Sequence, residues 1–186
     1  ADTLSFPELL VRYGLTEAFE IRVLPPVIDI DQFTSDGSDT EPTPFGLGAK
    51  YGFSLGEDVD AAGIFNATIP VRSEQDPAFS LAGVLSHSPE GPVGLSLYGG
   101  LEGTDHSGDP GANLFASVAP NVSITDRLGS FVEIYWYLPE RQAEFYADGG
   151  LTYLVTDRFQ VDIHGGFQVP TGNDNYFVGA GLGWLL

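Results

Sequence analysis

Residues 159 to 169, Phe159-Gln160-Val161-Asp162-Ile163-His164-Gly165-Gly166-Phe167-Gln168-Val169, decide the fold. Phe159, Val161, Ile163, Phe167 and Val169 share one parity, and Gln160, Asp162, His164 and Gln168 share the other. Successive side chains of a β-strand point to opposite faces, so a period of two predicts a strand with one apolar and one polar face. The stretch before it repeats the pattern, with Phe145, Ala147, Leu151, Tyr153 and Val155 opposite Glu144, Tyr146, Asp148 and Thr152. After it, Tyr176, Val178, Ala180, Leu182, Trp184 and Leu186 alternate mostly with glycine. Far upstream, Phe45, Leu47, Ala49, Tyr51, Phe53 and Leu55 stand opposite Gly46, Gly48, Lys50, Gly52 and Ser54.

Helical periodicity is almost absent from the rest of the chain, which reads as all-β. Candidate strands cover residues 4 to 13, 18 to 28, 44 to 55, 62 to 72, 78 to 88, 92 to 102, 112 to 124, 128 to 138, 143 to 155, 158 to 169 and 175 to 186. Most are about 10 to 12 residues long, which suits a tilted transmembrane strand better than a globular strand of about 5 or 6. The connections alternate in length. Gly14 to Ala18, Gly56 to Ala61, Pro89 to Gly91, Thr125 to Arg127 and Thr156 to Arg158 are short. The other set comprises Asp29 to Thr43, Ser73 to Pro77, Gly103 to Gly111, Pro139 to Gln142 and Pro170 to Asn175, and most of its members are longer. Tight turns at one end and longer loops at the other mark an outer-membrane barrel. Three of the turns repeat one pattern, in Tyr13-x-x-Thr16-Glu17-x-Phe19, Val122-x-x-Thr125-Asp126-x-Leu128 and Tyr153-x-x-Thr156-Asp157-x-Phe159. Each places a hydroxyl and a carboxylate where a turn has free backbone N–H groups to satisfy.

Alternation alone leaves two readings, a soluble lipocalin-like barrel with its apolar face inward and a membrane barrel with that face toward lipid. Strand length, loop alternation and a polar face made of Gly, Ser, Asn and sparse charges favour lipid. Tyr13, Phe19, Phe45, Tyr153, Phe159, Tyr176 and Trp184, near strand ends, fit interfacial aromatic girdles. The expectation is an antiparallel up-and-down transmembrane β-barrel of about 12 strands, eleven of them visible, with residues 1–186 as a single domain.

The chain's 186 residues carry 7 Lys plus Arg against 26 Asp plus Glu, a formal charge of −19, which argues against nucleic acid as a partner. With no Cys, disulfide scaffolds and thiol chemistry are excluded. Aromatics at 12% and charged residues at 18% are not the composition of a disordered acidic chain. No run of about 18 apolar residues occurs, so no transmembrane helix is expected. His87, His106 and His164 have no metal-ligand spacing, and no cofactor is implied. No serine adjoins His164 on its strand pair, and His106-Ser107 has only Asp105 near it, so the chain is not read as an enzyme.

Four stretches carry a family resemblance: residues 7 to 17 (Pro7-Glu8-Leu9-Leu10-Val11-Arg12-Tyr13-Gly14-Leu15-Thr16-Glu17), Gly46-Leu47-Gly48-Ala49-Lys50-Tyr51, Asp148-Gly149-Gly150-Leu151-Thr152-Tyr153-Leu154-Val155-Thr156, and Tyr176-Phe177-Val178-Gly179-Ala180-Gly181-Leu182. The chain resembles, over nearly its whole length, the outer-membrane transporters grouped as phenol-degradation MetA-pathway proteins. The resemblance implies a Gram-negative outer-membrane barrel that passes small, often aromatic, compounds. Members generally begin with an additional N-terminal strand that is not found here. Gly181-x-x-Trp184-x-Leu186 is similar to the barrel-assembly signal, except that Leu186 stands where an aromatic is usual.

Bacterial barrels normally hold an even number of strands, with both ends in the periplasm. Eleven strands therefore predict a twelfth before Ala1, or a strand-donating partner or second copy that closes the edge, since open backbone groups in lipid cost several kcal/mol each. The polar faces hold Arg12, Arg22, Lys50 and Arg72 on the first four strands, and Glu133, Asp148, Asp162 and His164 on strands eight to ten. These eight residues are the candidate pore lining, where basic and acidic walls would set ion preference. Registers centred on Thr16 and Thr156 place Arg12 opposite Glu20 and Asp148 opposite His164, so cross-strand pairing competes with the pore-field reading. Asp29, Asp31, Asp36, Asp39, Glu41, Glu74, Asp76, Asp105 and Asp109 form an acidic rim without a calcium-loop pattern. The expected partners are outer-membrane lipid, lipopolysaccharide and a small-molecule solute. The expected function is passive passage of small solutes, and the alternative is a non-conducting structural or adhesive barrel with acidic outer loops.

Overall fold

The structure, a computed structural model, describes residues 2–6, 10–26, 28–34, 37–73, 75–106, 109–138, 143–169 and 176–184. The described residues form β1 (Asp2–Phe6), β2 (Val11–Gly14), β3 (Phe19–Leu24), β4 (Ile28–Thr34), β5 (Gly37–Pro42), β6 (Phe45–Ser54), β7 (Val59–Ile69), β8 (Ala78–His87), β9 (Val93–His106), β10 (Asp109–Ser123), β11 (Leu128–Leu138), β12 (Glu144–Thr156), β13 (Phe159–Val169) and β14 (Tyr176–Trp184), and no helix. Eleven of these make one sheet in the order β14-β13-β12-β11-β10-β9-β8-β7-β6-β3-β2; ten of them, from β3 onward, fall on expected strands, with β9 and β10 reaching to His106 and from Asp109 into the expected loop Gly103 to Gly111. The expected loops Pro139 to Gln142 and Pro170 to Asn175, together with Asp36, Glu74, Ser107 and Leu186, lie outside the described residues.

Two expectations about the N-terminal quarter are corrected. Residues 4 to 13 are not one strand. β1 pairs with β4 from Asp2↔Gln32 to Phe6↔Ile28, while β2 pairs with β3 from Val11↔Val23 to Gly14↔Glu20. Pro7, which has no N–H to donate, stands between them in the sequence. Residues 29 to 43 are not an irregular loop either. β4 and β5 pair from Ile28↔Pro42 to Thr34↔Gly37, and with β1 they form a separate three-stranded sheet. Ile28 and Ile30 alternate with Asp29 and Asp31, a period-two signal that the density of acids disguised as loop composition. Prolines set two other boundaries. β3 ends at Leu24 before Pro25-Pro26, and β7 ends at Ile69 before Pro70, where the ladder loses its donors.

Two compact units divide the chain: Ala1–Gly52 with Ala62–Ala82 and Glu102–Ala112, and Phe53–Ala61 with Gly83–Leu101 and Asn113–Leu186. Among the described residues neither unit has an ordinary hydrophobic core. Among the described residues only Ile64, Ala82 and Ser117 are buried apart from glycine, at 7%, 5% and 7% exposure. The large apolar side chains stand on the open face instead. In the first unit Leu47, Tyr51, Phe65, Phe79 and Leu81 are exposed, and in the second Val132, Ile134, Trp136, Leu151, Ile163 and Phe167 are, with Leu182 at 78%. A water-soluble chain gains about 25 cal/mol per Å² by hiding such surface, so this distribution requires an apolar surrounding. The face assignments made from β6, β12, β13 and β14 hold, and they exclude the lipocalin-like alternative.

The turns carry the hydroxyl half of the expected chemistry, with a different centre. The Thr16 hydroxyl accepts from the N–H groups of Ala18 and Phe19 at 3.2 and 2.9 Å, and the Thr125 hydroxyl accepts from those of Arg127 and Leu128 at 3.2 and 2.9 Å. Leu15 N–H and Thr16 N–H both donate to the Phe19 carbonyl, which places the centre of the hairpin at Glu17 and not at Thr16. Arg12 therefore faces Arg22, where Glu20 was expected, and Asp148 faces Gly166, where His164 was expected. Both displacements are two residues. An even slip keeps every side chain on its own face, so the partners change and the faces do not.

Candidate functional site

The polar face of the second unit is built on β11. Along Phe131-Val132-Glu133-Ile134-Tyr135-Trp136-Tyr137, the exposed side chains Val132, Ile134 and Trp136 take one face, which leaves Glu133, Tyr135 and Tyr137 on the other. The antiparallel register with β12 then sets three pairs side by side: Glu133 opposite Asp148, Tyr135 opposite Tyr146 and Tyr137 opposite Glu144. The rings of Tyr135 and Tyr146 stack at 4.9 Å between centroids with an 8° interplanar angle. The Tyr146 hydroxyl donates to Glu144 Oε2 at 2.8 Å, which anchors that ring along its own strand. On the other side of β11, Phe115 of β10 is opposite Tyr137 and Ser117 is opposite Tyr135. Tyr98 of β9 lies 5.3 Å from Phe115 between centroids, tilted by 34°. Together these groups line an open cavity of about 530 Å³, formed by Tyr98, Phe115, Ser117, Glu133, Tyr135, Tyr137, Glu144 and Tyr146, with Ala116 and Trp136 bordering it from the strand positions between them.

Asp148, Asp162 and His164 continue this face onto β12 and β13. Asp162 Oδ1 lies 3.7 Å from His164 Nδ1, within ion-pair range when the imidazole is protonated. Their partners across the ladder are Gly181 and Gly179 of β14, and a Cβ on either glycine would run into the carboxylate or the imidazole. The glycines opposite the polar residues therefore make room for them. Among the described residues Asp148 Oδ1 is buried without a hydrogen-bond partner, next to the like charge of Glu133.

The first unit arranges its charges differently. Arg12 donates through Nε and a terminal nitrogen to Glu20 Oε2 at 2.9 and 2.7 Å, and Arg22 Nε lies 3.5 Å from Glu20 Oε1. Lys50 of β6 is directly opposite Glu20. One carboxylate thus sits among three cations. Beside them, Asn66 donates to the Ser80 hydroxyl at 3.1 Å, and its amide fills the space that a side chain on Gly48 would need.

Of the eight expected residues, Glu133 and Asp148 come together as a cross-strand pair, Asp162 and His164 as neighbours on β13, and Arg12, Arg22 and Lys50 around Glu20. Arg72 stands apart. It is exposed in the turn that follows β7, where Gln75 Oε1 accepts from its backbone N–H at 3.3 Å. The expected Arg12–Glu20 pairing is present as an ion pair at 2.7 Å, although the two residues are not directly opposite. Sequence reasoning missed Arg22 and Lys50 as further partners of Glu20, and it missed the rings of Tyr98, Phe115, Tyr135, Tyr137 and Tyr146 as the material of a cavity. Parity in the segment Glu133 to Tyr137 was the available signal, because it puts two tyrosines on the polar side.

Comparison with curated protein sequences finds no match. Among solved structures, an outer membrane channel from Pseudomonas putida F1 is similar, with a TM-score of 0.64 and 13% identity over 94% of this chain and 79% of that one. At that identity the likeness carries the fold, and the fold is an outer-membrane β-barrel. The model of the family described as "Putative MetA-pathway of phenol degradation" matches residues 6–186, and the chain belongs to that family.

Proposed function

We propose that the chain is a passive channel for small solutes, aromatic or hydrophobic ones among them, in the outer membrane of a Gram-negative bacterium. The observation that carries this reading is the division of the strands into two faces. Exposed Leu, Ile, Val and aromatic side chains meet lipid, and the opposite face carries charges, tyrosines and glycines that suit a solvated pathway. The channel from Pseudomonas putida F1 supports it through the shared fold, and the family supports it through its association with phenol degradation. In this reading Arg12, Arg22, Lys50, Glu133, Asp148, Asp162 and His164 line the pathway, and the acidic surplus makes it modestly cation-selective.

The test is conductance of the purified barrel in planar bilayers under a salt gradient. Single-channel steps with a reversal potential on the cation side are the expected result. Lys50→Glu strengthens that preference, Asp148→Asn weakens it, and both changes shrink at high salt as screening shortens the field. A folded barrel that passes no current would overturn the channel and favour the non-conducting structural barrel.

A further inference from the structure

We propose that the tyrosine-walled cavity of β9 to β12 is a binding subsite for small organic cations, quaternary or protonated amines, on the solute pathway. The inference rests on the channel reading for its purpose, and on the cavity alone for its chemistry. Its walls are two ring pairs, Tyr135 on Tyr146 and Tyr98 beside Phe115. Its charged groups are Glu133 and Glu144, and no Lys, Arg or His lines it. Aromatic faces attract cations through the ring quadrupole, and cages of such rings are a recurrent way of holding quaternary ammonium groups. A volume of about 530 Å³ is in the size range of small-molecule sites.

The competing occupants fit less well. An anion would meet two carboxylates with no basic side chain among the lining residues. A neutral aromatic molecule would stack on the rings and leave the Glu133 carboxylate to be desolvated without compensation. A metal ion needs converging hard ligands, and among the described residues no group of three or more His, Asp or Glu side chains is placed to hold one. An ammonium ion uses both features, because its weakly hydrated surface rests on the rings while a carboxylate neutralises its charge. Tyr146 strengthens the arrangement. Its hydroxyl is committed to Glu144 Oε2, which holds the ring in the stacked position with its edge tied to the acid.

The experiment is calorimetric titration of the detergent-folded barrel with choline and with its neutral isostere 3,3-dimethylbutan-1-ol, for wild type, Glu133→Gln and Tyr135→Leu. Heat-modifiable gel migration verifies that each variant is folded. Choline is expected to bind at least tenfold more tightly than the alcohol. Glu133→Gln, which keeps the shape of the side chain, should cost choline fivefold or more and leave the alcohol unchanged, and Tyr135→Leu should cost choline tenfold. Equal affinity for the two probes, or choline affinity unmoved by Glu133→Gln, would overturn the proposal. The conductance assay separates the two readings: a barrel that binds choline but passes no current retains the cation site and loses the channel. A barrel that conducts and does not distinguish the probes retains the channel and loses the cation site.

Discussion

The two units place charge on the polar face of the same kind of sheet and treat it in opposite ways. In the first, Glu20 receives Arg12 at 2.7 Å and Arg22 at 3.5 Å and faces Lys50 across the ladder, so opposite charges are spent on one another. In the second, Glu133 faces Asp148, like against like, and tyrosine rings take the positions beside them. Cross-strand pairs of opposite charge stabilise a sheet and like pairs destabilise it, each by roughly 0.2–1 kcal/mol. The first unit also sets like charges opposite one another, Arg12 against Arg22, but it supplies Glu20 as an anion shared between them, and that compensation favours stability. The second gives up stability at the place where the structure also holds a cavity, which is the usual relation between strain and a binding surface.

The largest expected effect that tests this contrast is Glu20→Gln. It leaves Arg12, Arg22 and Lys50 facing one another without an anion, and part of the repulsion is screened because the Arg12 side chain is 54% exposed. A loss of about 1–2 kcal/mol is expected. Urea titration in lipid vesicles, followed by the emission of Trp136 and Trp184, measures it. A loss near zero would show that the three cations are solvated separately and that the first unit is no more compensated than the second.

A smaller effect compares the turns. Among the described residues, Thr16 and Thr125 each accept two backbone N–H groups, whereas Thr156 accepts one, from Arg158 at 3.3 Å. Replacing Thr16 or Thr125 by alanine should cost about 1 kcal/mol, in line with other side-chain caps of backbone donors, and Thr156→Ala about half of that. Equal costs at all three would mean that β-propensity, not the hydroxyl, explains the repeated threonine.

These turns also mark where the sequence stops being legible. Ten of the eleven strands of the large sheet and their faces followed from period two, because lipid and water each demand one chemistry from every second residue, whereas β2 was merged with β1 into one expected strand. Register did not follow, because it depends on which N–H groups the turn hydroxyl and the Phe19 carbonyl capture, a matter of two or three backbone angles. The β4–β5 hairpin was hidden by its acids, since Asp29, Asp31, Asp39 and Glu41 make a strand look like a loop by composition. The cavity was hidden for a different reason. Tyr98, Phe115, Tyr135 and Tyr146 come from four strands, and only the pairings of β10 to β12 and the approach of Tyr98 to Phe115 bring their rings together. Of the charged candidates, the Arg12–Glu20 pair was visible in the sequence, and the pairing of Glu133 with Asp148 was not.

The smallest expected effect has the opposite sign and discriminates most sharply between the two regions. Asp148→Asn is the same chemical change as Glu20→Gln, a carboxylate replaced by its amide. At Asp148 it removes a charge that faces Glu133, and it supplies an N–H donor to a place where Oδ1 is buried and unpartnered among the described residues. A gain of about 0.5–1 kcal/mol in the urea titration is therefore expected where Glu20→Gln brings a loss. Raising the salt concentration should shrink both effects, since each is the removal of a charge interaction that ions screen. If Asp148→Asn instead destabilises the barrel, His164, two residues from Asp162 and on the strand paired with Asp148, is compensating that carboxylate. The acidic face would then be held together by the same kind of ion pairing as the Glu20 cluster, and the contrast between the two units would fail.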